Sequence, residues 1–235
     1  RVHFGKREMI GVVRGFRYAD RGEVPLERLG KPLEYKEIDG VVELPAIKRE
    51  QLEFWQVLAD YYLCTVGEVY KAAYPALAVR QESVKSRKSP VLFLERISFS
   101  PLGISQQRLP MLSQRQQGAF DEIRAHFGSG KRPVLLHGAT GSGKTEIYVK
   151  LAQEVLAKGK NVLFMVPEIA LSKELESRLK GYFGERLLLF HSKVTAAQKH
   201  FVHSVVLQAG GNSPVVVLGT RSSLFLPFAQ LGLVI

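Results

Sequence analysis

The residues best suited to chemistry stand in one stretch, Gly138-Ala139-Thr140-Gly141-Ser142-Gly143-Lys144-Thr145, with the spacing G-x-x-x-x-G-K-T. Glycines so placed let the backbone curl until successive N–H groups point at one anion. A helix beginning at the lysine adds the positive end of its dipole. An ammonium there reaches the β- and γ-phosphates of a nucleotide as a point charge, and a threonine hydroxyl holds magnesium. Lys144 and Thr145 are the catalytic candidates, Thr145 is the magnesium ligand, and Gly138, Ala139, Thr140, Gly141, Ser142 and Gly143 complete the phosphate cradle.

Such a loop works only when a strand and a helix hold its two ends. Upstream, Pro133-Val134-Leu135-Leu136-His137 is rich in branched apolar residues and predicts a buried parallel strand over Val134–Leu136. Downstream, Glu146–Ala157 predicts a helix. Before the strand, Ser113 is an N-cap with Gln116 at the third helical position, opening a helix through Phe120, Ile123 and Phe127 that stops at Gly128-Ser129-Gly130. After the loop come a strand Val162–Val166, a helix from about Leu171 to Phe183, a strand Leu187–Phe190, a helix Ala196–Leu207 and a strand Val215–Leu218. A further apolar run, Leu231-Gly232-Leu233-Val234-Ile235, closes the sequence. This alternation predicts an α/β fold with a parallel sheet, right-handed crossovers and ligands at the carboxyl ends of the strands.

The earlier part is patterned differently. Val2 to Arg17 reads as strand interrupted by Lys6-Arg7. Between Tyr18 and Pro45, Gly22, Pro25, Gly30, Pro32 and Gly40 punctuate loops around a short strand near Leu33–Ile38. From Lys48 to Leu63 the stripe Leu52, Trp55, Leu58, Ala59 and Tyr62 predicts an inward-packing helix. A turn at Thr65–Val69 leads into a second, ending near Tyr74-Pro75. Ala76 to Leu109 carries Arg80, Lys85, Arg87 and Lys88 among serines and reads as a basic connector. The expected organisation is a small β-rich domain with short helices over 1–75, a basic linker over 76–108 and the α/β domain over 109–235.

The 46% apolar and 23% charged shares are those of a globular protein, and a formal net charge of +11 points to a polyanionic partner. A single cysteine, Cys64, excludes an internal disulfide framework and a cysteine-cluster zinc site within these residues; Tyr61-Tyr62-Leu63-Cys64 reads as packed core. The sequence shows neither a long apolar span nor a signal-peptide pattern, so a cytoplasmic location and no membrane partner are expected. It begins at Arg1 without methionine, and the expectation is that the natural N-terminus precedes it.

Four segments follow the predicted strands: Gly138–Thr145, Pro167-Glu168-Ile169-Ala170-Leu171, His191-Ser192-Lys193 and Gly219-Thr220-Arg221-Ser222-Ser223-Leu224-Phe225. Together they resemble motifs I, Ia and Ib of the superfamily-2 helicases, with a short His-Ser segment between the last two. Leu112-Ser113-Gln114-Arg115-Gln116 sits where such proteins carry an upstream glutamine motif, which makes Gln116 an adenine-reading candidate. On this reading Pro167, Glu168, Thr220 and Arg221 contact a nucleic-acid strand crossing the sheet edge, Thr220 and Arg221 through its phosphates.

With His3-Phe4-Gly5-Lys6-Arg7 and Ala59-Asp60-Tyr61-Tyr62-Leu63-Cys64, the resemblance narrows to the bacterial replication-restart, or primosomal, helicases. It implies a 3′-end DNA-binding domain over about residues 1–75, with Lys6 and Arg7 as DNA contacts. It also implies ATP and Mg2+ as cofactors, 3′→5′ unwinding and fork remodelling. The partners implied are forked and single-stranded DNA, other primosome proteins and single-strand-binding protein; the location implied is bacterial cytoplasm at the nucleoid.

The pattern departs from that family in several places. Residues 76–109 are too few for its complete winged-helix domain, so 76–108 is expected to be a basic linker or a remnant of that domain, and Lys193 replaces the glycine that follows His-Ser. The family's Asp-Glu-Glu-His motif, whose carboxylates hold magnesium and orient the attacking water, would begin at Leu233-Val234-Ile235. The second lobe with its arginine finger, and a zinc region within it, are expected outside these residues. The 235 residues alone are therefore expected to lack ATP hydrolysis. Two other readings stay open: a P-loop phosphotransferase, and a non-enzymatic DNA-binding fragment.

Overall fold

The computed structural model describes residues 2–4, 7–9, 11–13, 27–28, 31–32, 37–40, 47–73, 90–99, 111–127, 132–168 and 172–235. The chain divides into two compact units, Arg1–Lys71 with Ala76–Gln81, and Ala72–Pro75 with Glu82–Ile235. In the first, β1 (Val2–Phe4) pairs antiparallel with β2 (Arg7–Met9), and β3 (Glu27–Arg28) with β4 (Lys31–Pro32). The strand expected over Val2–Arg17 is thus a hairpin, and residues 11–13 beyond it carry no regular structure. Of the strand expected near Leu33–Ile38, Glu37 and Ile38 are described and are not strand; residues 33–36 lie outside the described residues.

Two helices follow, α1 (Arg49–Tyr62) and α2 (Val66–Ala73). Thr65 and Glu68 cap α2 reciprocally: Glu68 N donates to Thr65 Oγ1 at 3.3 Å, and Thr65 N to Glu68 Oε2 at 2.8 Å. On α1, Trp55 and Ala59 are buried as their spacing requires. Tyr62, placed on the same stripe by sequence, is 69% exposed. The helix ends there, because Leu63 adopts a left-handed conformation (φ 52°), and Tyr62 packs edge-on against Tyr61 instead of entering a core. Cys64 is half-buried rather than core.

The first helix lying wholly in the second unit is α3 (Pro90–Phe99), inside the stretch that reads from sequence as a connector. Its Leu94 and Ile97 are buried, and two hydrogen bonds tie its carbonyls to later parts of the unit. Arg186, itself buried, donates to Ile97 O at 2.8 Å and also to Pro214 O at 3.0 Å, while Ser213 Oγ donates to Leu94 O at 3.0 Å. A guanidinium at a helix C-terminus answers both an orphan carbonyl and the negative end of the dipole.

Next come α4 (Gln114–His126), α5 (Lys144–Ala157), β5 (Asn161–Met165), α6 (Lys173–Phe183), β6 (Leu187–Phe190), α7 (Ala196–Gln208), β7 (Val216–Gly219) and β8 (Leu231–Val234). The sheet is four-stranded in the order β6-β7-β5-β8, with every pairing parallel. Period-two alternation sorts its two faces. Val162, Phe164, Val216 and Leu218 pack with α4, α5 and α6; Leu163, Val215, Val217, Leu188 and Phe190 pack with α3 and α7. The layering is helix, sheet, helix. Asn161, fully buried, joins the base of β5 to its neighbours by donating to Ala209 O and accepting from Val215 N, each at 2.9 Å.

The strand expected over Val134–Leu136 does not form: residues 133–139 have no regular structure, and Leu135 is 89% exposed. A branched apolar run has the composition of a strand but becomes one only through a partner ladder. These residues run beside β8 without pairing to it. A cleft of about 400 Å³ separates Val134, Leu135 and Leu136 from Leu233, Val234 and Ile235. Leu136 alone of the three packs on the core, at its margin.

His203 lies buried on α7. Burial, with His200 adding to it, pushes its imidazole down to about 4. The unfolded chain, with an ordinary histidine near 6.5, then binds more protons than the folded one between those values. This contribution to stability is complete above pH 6.5 and is lost as pH falls toward 4, by up to about 1.4 kcal/mol per pH unit. Denaturant titrations at about pH 7 and about pH 5 should show the loss, and it should be much reduced in His203→Phe.

Candidate nucleotide and nucleic-acid site

Two helices, α4 and α5, meet at the phosphate loop, and α6 reaches the first turn of α5 through Arg178. The loop proper is tightened by a Ser142 N to Ala139 O bond of 3.2 Å, and Gly141 and Gly143 adopt φ of 79° and 80°. Such backbone is the province of glycine. At Gly143 the requirement is double, since a methyl group would run into the Gln116 amide. Gly143 is also the N-cap of α5, so the first N–H groups of that helix, which have no intrahelical acceptor, open onto the loop.

Lys144, first residue of α5, folds across the loop and donates from Nζ to Gly138 O at 2.7 Å and to Ala139 O at 2.8 Å. Thr145 follows, half-buried at the helix start. Left-handed glycines, a helix N-terminus and a lysine drawn over the curl fit a nucleotide phosphate. Lys144 and Thr145 would hold that phosphate and its magnesium, and the magnesium supplies charge neutralisation at the transferred phosphoryl.

Gln116, the adenine-reading candidate, has other partners. Its Oε1 accepts from Ser113 N at 2.8 Å, and Nε2 reaches Ser142 O at 3.3 Å and Gly143 O at 3.4 Å. It is a clasp between α4 and the loop. The capping box that announces the helix in the sequence is the device that holds the clasp in register. Further along, Lys150 donates to Gln117 Oε1 at 3.0 Å and stands over the Phe120 ring, and Arg124 pairs with Glu154, so α4 and α5 are tied along their length.

The remaining candidates gather at one end of the sheet. Met165 and Phe190 both pair with Gly219, so residues after β5, β6 and β7 leave together. Val166 N donates to Gly219 O at 2.9 Å, and Thr220 N to Phe190 O at 3.3 Å. Because α5 ends one tight turn before β5 begins, its N-terminus and the loop lie toward this same end.

Pro167, Glu168 and Arg221 are exposed there. Thr220 is 3% exposed: its carbonyl accepts from Ser223 N and Ser223 Oγ, opening a short 3-10 turn Arg221–Phe225. Burial withdraws Thr220 from the surface, while Arg221 beside it is exposed. His191, also buried, accepts at Nδ1 from Lys193 N at 3.2 Å, which organises the His-Ser segment. Arg7 lies on β2, and nothing further is described of its side chain; Lys6, Ile169, Ala170 and Leu171 lie outside the described residues.

One pair at the site has no signature in the sequence. Glu146, in the first turn of α5, is ion-paired to Arg178 on α6, thirty-two residues away. Among the described residues no cluster of His, Cys, Asp and Glu could hold a metal by itself, and no helix is long and apolar enough to cross a membrane.

Comparison with known proteins agrees with this geometry. Residues 110–227 match the family model described as type III restriction enzyme, res subunit, and residues 1–75 match one described as a 3′ DNA-binding domain. The chain is 33% identical over 240 residues to the replication restart protein PriA of Rickettsia prowazekii, covering 100% of this chain and 32% of that protein. It is 32% identical over 233 residues to PriA of Treponema pallidum, covering 99% of this chain and 32% of that protein. To PriA of Helicobacter pylori it is 44% identical over 186 residues, covering 79% of this chain and 26% of that protein. The chain spans about a third or less of the length of these relatives. With its phosphate loop and strands β5, β6 and β7 inside the matched region, the chain belongs to the helicase-type family of the type III restriction res subunit, and it is a homologue of the PriA replication restart proteins.

Proposed function

We propose that these residues form the nucleotide-binding and DNA-binding part of an ATP-dependent 3′→5′ DNA helicase of the superfamily-2 kind, one that acts at stalled or abandoned forks and promotes primosome assembly. The observation that carries this reading is the common sheet end where Lys144 and Thr145, on the phosphate loop, share an edge with Pro167, Glu168 and Arg221. ATP and Mg2+ bind at Lys144 and Thr145, and a DNA backbone lies against Arg221 and the Pro167-Glu168 segment. Lys6 and Arg7, in the domain matched to a 3′ DNA-binding model, take the strand end. Forked and single-stranded DNA are the substrates, with other primosome proteins and single-strand-binding protein as partners in the bacterial cytoplasm.

The resemblance assigns the carboxylates that orient the attacking water to the Asp-Glu-Glu-His motif, and Lys144 and Thr145 answer one side of the γ-phosphate alone. The chain alone therefore binds Mg-ATP and DNA but turns ATP over slowly. DNA-stimulated hydrolysis at a helicase rate would contradict this.

The DNA surface is tested by fluorescence anisotropy on forked and single-stranded DNA at rising salt. Arg221→Ala should weaken binding several-fold at low salt, alike for every sequence. It should also lower the slope of log affinity against log salt by about one phosphate contact. An unchanged affinity and slope would remove Arg221 from the interface.

A further inference from the structure

An acidic residue in the first turn of a helix whose N-terminus receives phosphate is electrostatically awkward. It takes the dipole for itself and repels the incoming anion. Glu146 is such a residue, two positions after Lys144. Its side chain is 19% exposed. Oε1 is bonded to Arg178, while Oε2 is buried with no protein partner and faces Gly143, so close that a methyl group there would stand 3.1 Å away. Gln116 grips the same glycine from α4. The loop's last turn is therefore held between an amide on α4 and a carboxylate whose charge is answered from α6.

We propose that Arg178 is a positioning residue for nucleotide binding, acting through Glu146. It neutralises the carboxylate beside the phosphate loop and fixes it against Gly143, so that the loop presents a net positive face. Arg178 itself stands on the helix that follows the Pro167-Glu168 segment. A shift of that helix when nucleic acid is bound would thus be felt as a change of charge next to the nucleotide. This rests on the nucleotide-binding reading given above.

The test is Mg-ATP affinity of the 235-residue chain, measured by titration calorimetry for the unaltered protein, Lys144→Ala, Arg178→Ala, Glu146→Gln and the double variant Glu146→Gln/Arg178→Ala. Circular dichroism melts accompany each. Arg178→Ala should bind about tenfold more weakly, because it leaves a half-buried charge unanswered. Glu146→Gln should bind at least as well as the unaltered chain, and the double variant should recover most of the loss. That recovery is one a purely structural arginine would not show.

Should Arg178→Ala melt early, Arg178→Lys, which keeps the charge, should bind within about threefold of the unaltered chain. Affinity unchanged in Arg178→Ala, or a double variant as weak as the single one, would overturn the proposal while leaving nucleotide binding in place. Binding that is the same in Lys144→Ala as in the unaltered chain would overturn both.

Discussion

Lys144→Ala is expected to weaken Mg-ATP binding by about 100-fold or more while leaving DNA affinity within about twofold. The ammonium makes two short bonds to loop carbonyls, to Gly138 O and Ala139 O. Those carbonyls are exposed and can turn to water, so losing Lys144 costs the fold little. Its charged hydrogen bonds to phosphate have no such substitute: each is worth about 1.5–3 kcal/mol, and about 1.4 kcal/mol is a factor of ten. On the proposed reading, DNA affinity draws on a different set of charges, Arg221 at the sheet end and Lys6 and Arg7 in the first unit, in a chain of net charge +11. Calorimetry with Mg-ATP and anisotropy with labelled DNA on the same preparation separate the two effects. A parallel loss of both would mean that one surface serves both ligands.

The second large effect is expected at Gly143. A non-glycine residue at φ 80° costs about 1–2 kcal/mol, and a methyl there also collides with the Gln116 amide. Relief requires Gln116 to withdraw from Ser142 O and Gly143 O, or the loop to unwind. Either outcome misaims the N–H groups at the start of α5. Gly143→Ala should therefore bind Mg-ATP more than about tenfold more weakly and melt several degrees lower. Gly118, which stands in open space on α4, provides the contrast. Gly118→Ala should melt at the same temperature or slightly higher, since alanine is the better helix former. Equal melting temperatures and affinities for the two variants would show that the tight turn at Gly143 has no bearing on binding.

The range of each interaction decides which of these features are legible in the amino-acid sequence. The phosphate loop is local: glycine spacing, Lys144 and Thr145 define it within residues 138–145. The start of α4 is local too, because Ser113 and Gln116 satisfy one another across a single turn. Strands β5, β6 and β7 are buried apolar runs bounded by turns, and their parallel order follows from the helices between them.

Pairing is not local. Val134–Leu136 has strand composition, but whether it joins the sheet depends on β8, about a hundred residues later, which it lines without bonding. For the same reason α3 reads as part of a connector, because the carbonyls it presents find their donors on Ser213 and Arg186. Tyr62 lies on the helical stripe, yet the helix ends beneath it at Leu63. Thr220 is a candidate by its hydroxyl, and only the packing of β7 against β6 shows that it is buried while Arg221 is not. The Glu146–Arg178 pair joins two helices through a crossover, so no short window of sequence contains both.

The central claim is that the loop between residues 138 and 145 receives nucleotide phosphates at the sheet end that also receives DNA. Amide hydrogen exchange, followed by mass spectrometry on the chain with and without Mg-ADP, tests it most directly. The expected result is slowed exchange concentrated in peptides spanning residues 138–147, a smaller effect around Gln116 and Arg178, and loss of both in Lys144→Ala. Protection that falls elsewhere, or that persists unchanged in Lys144→Ala, would contradict the claim.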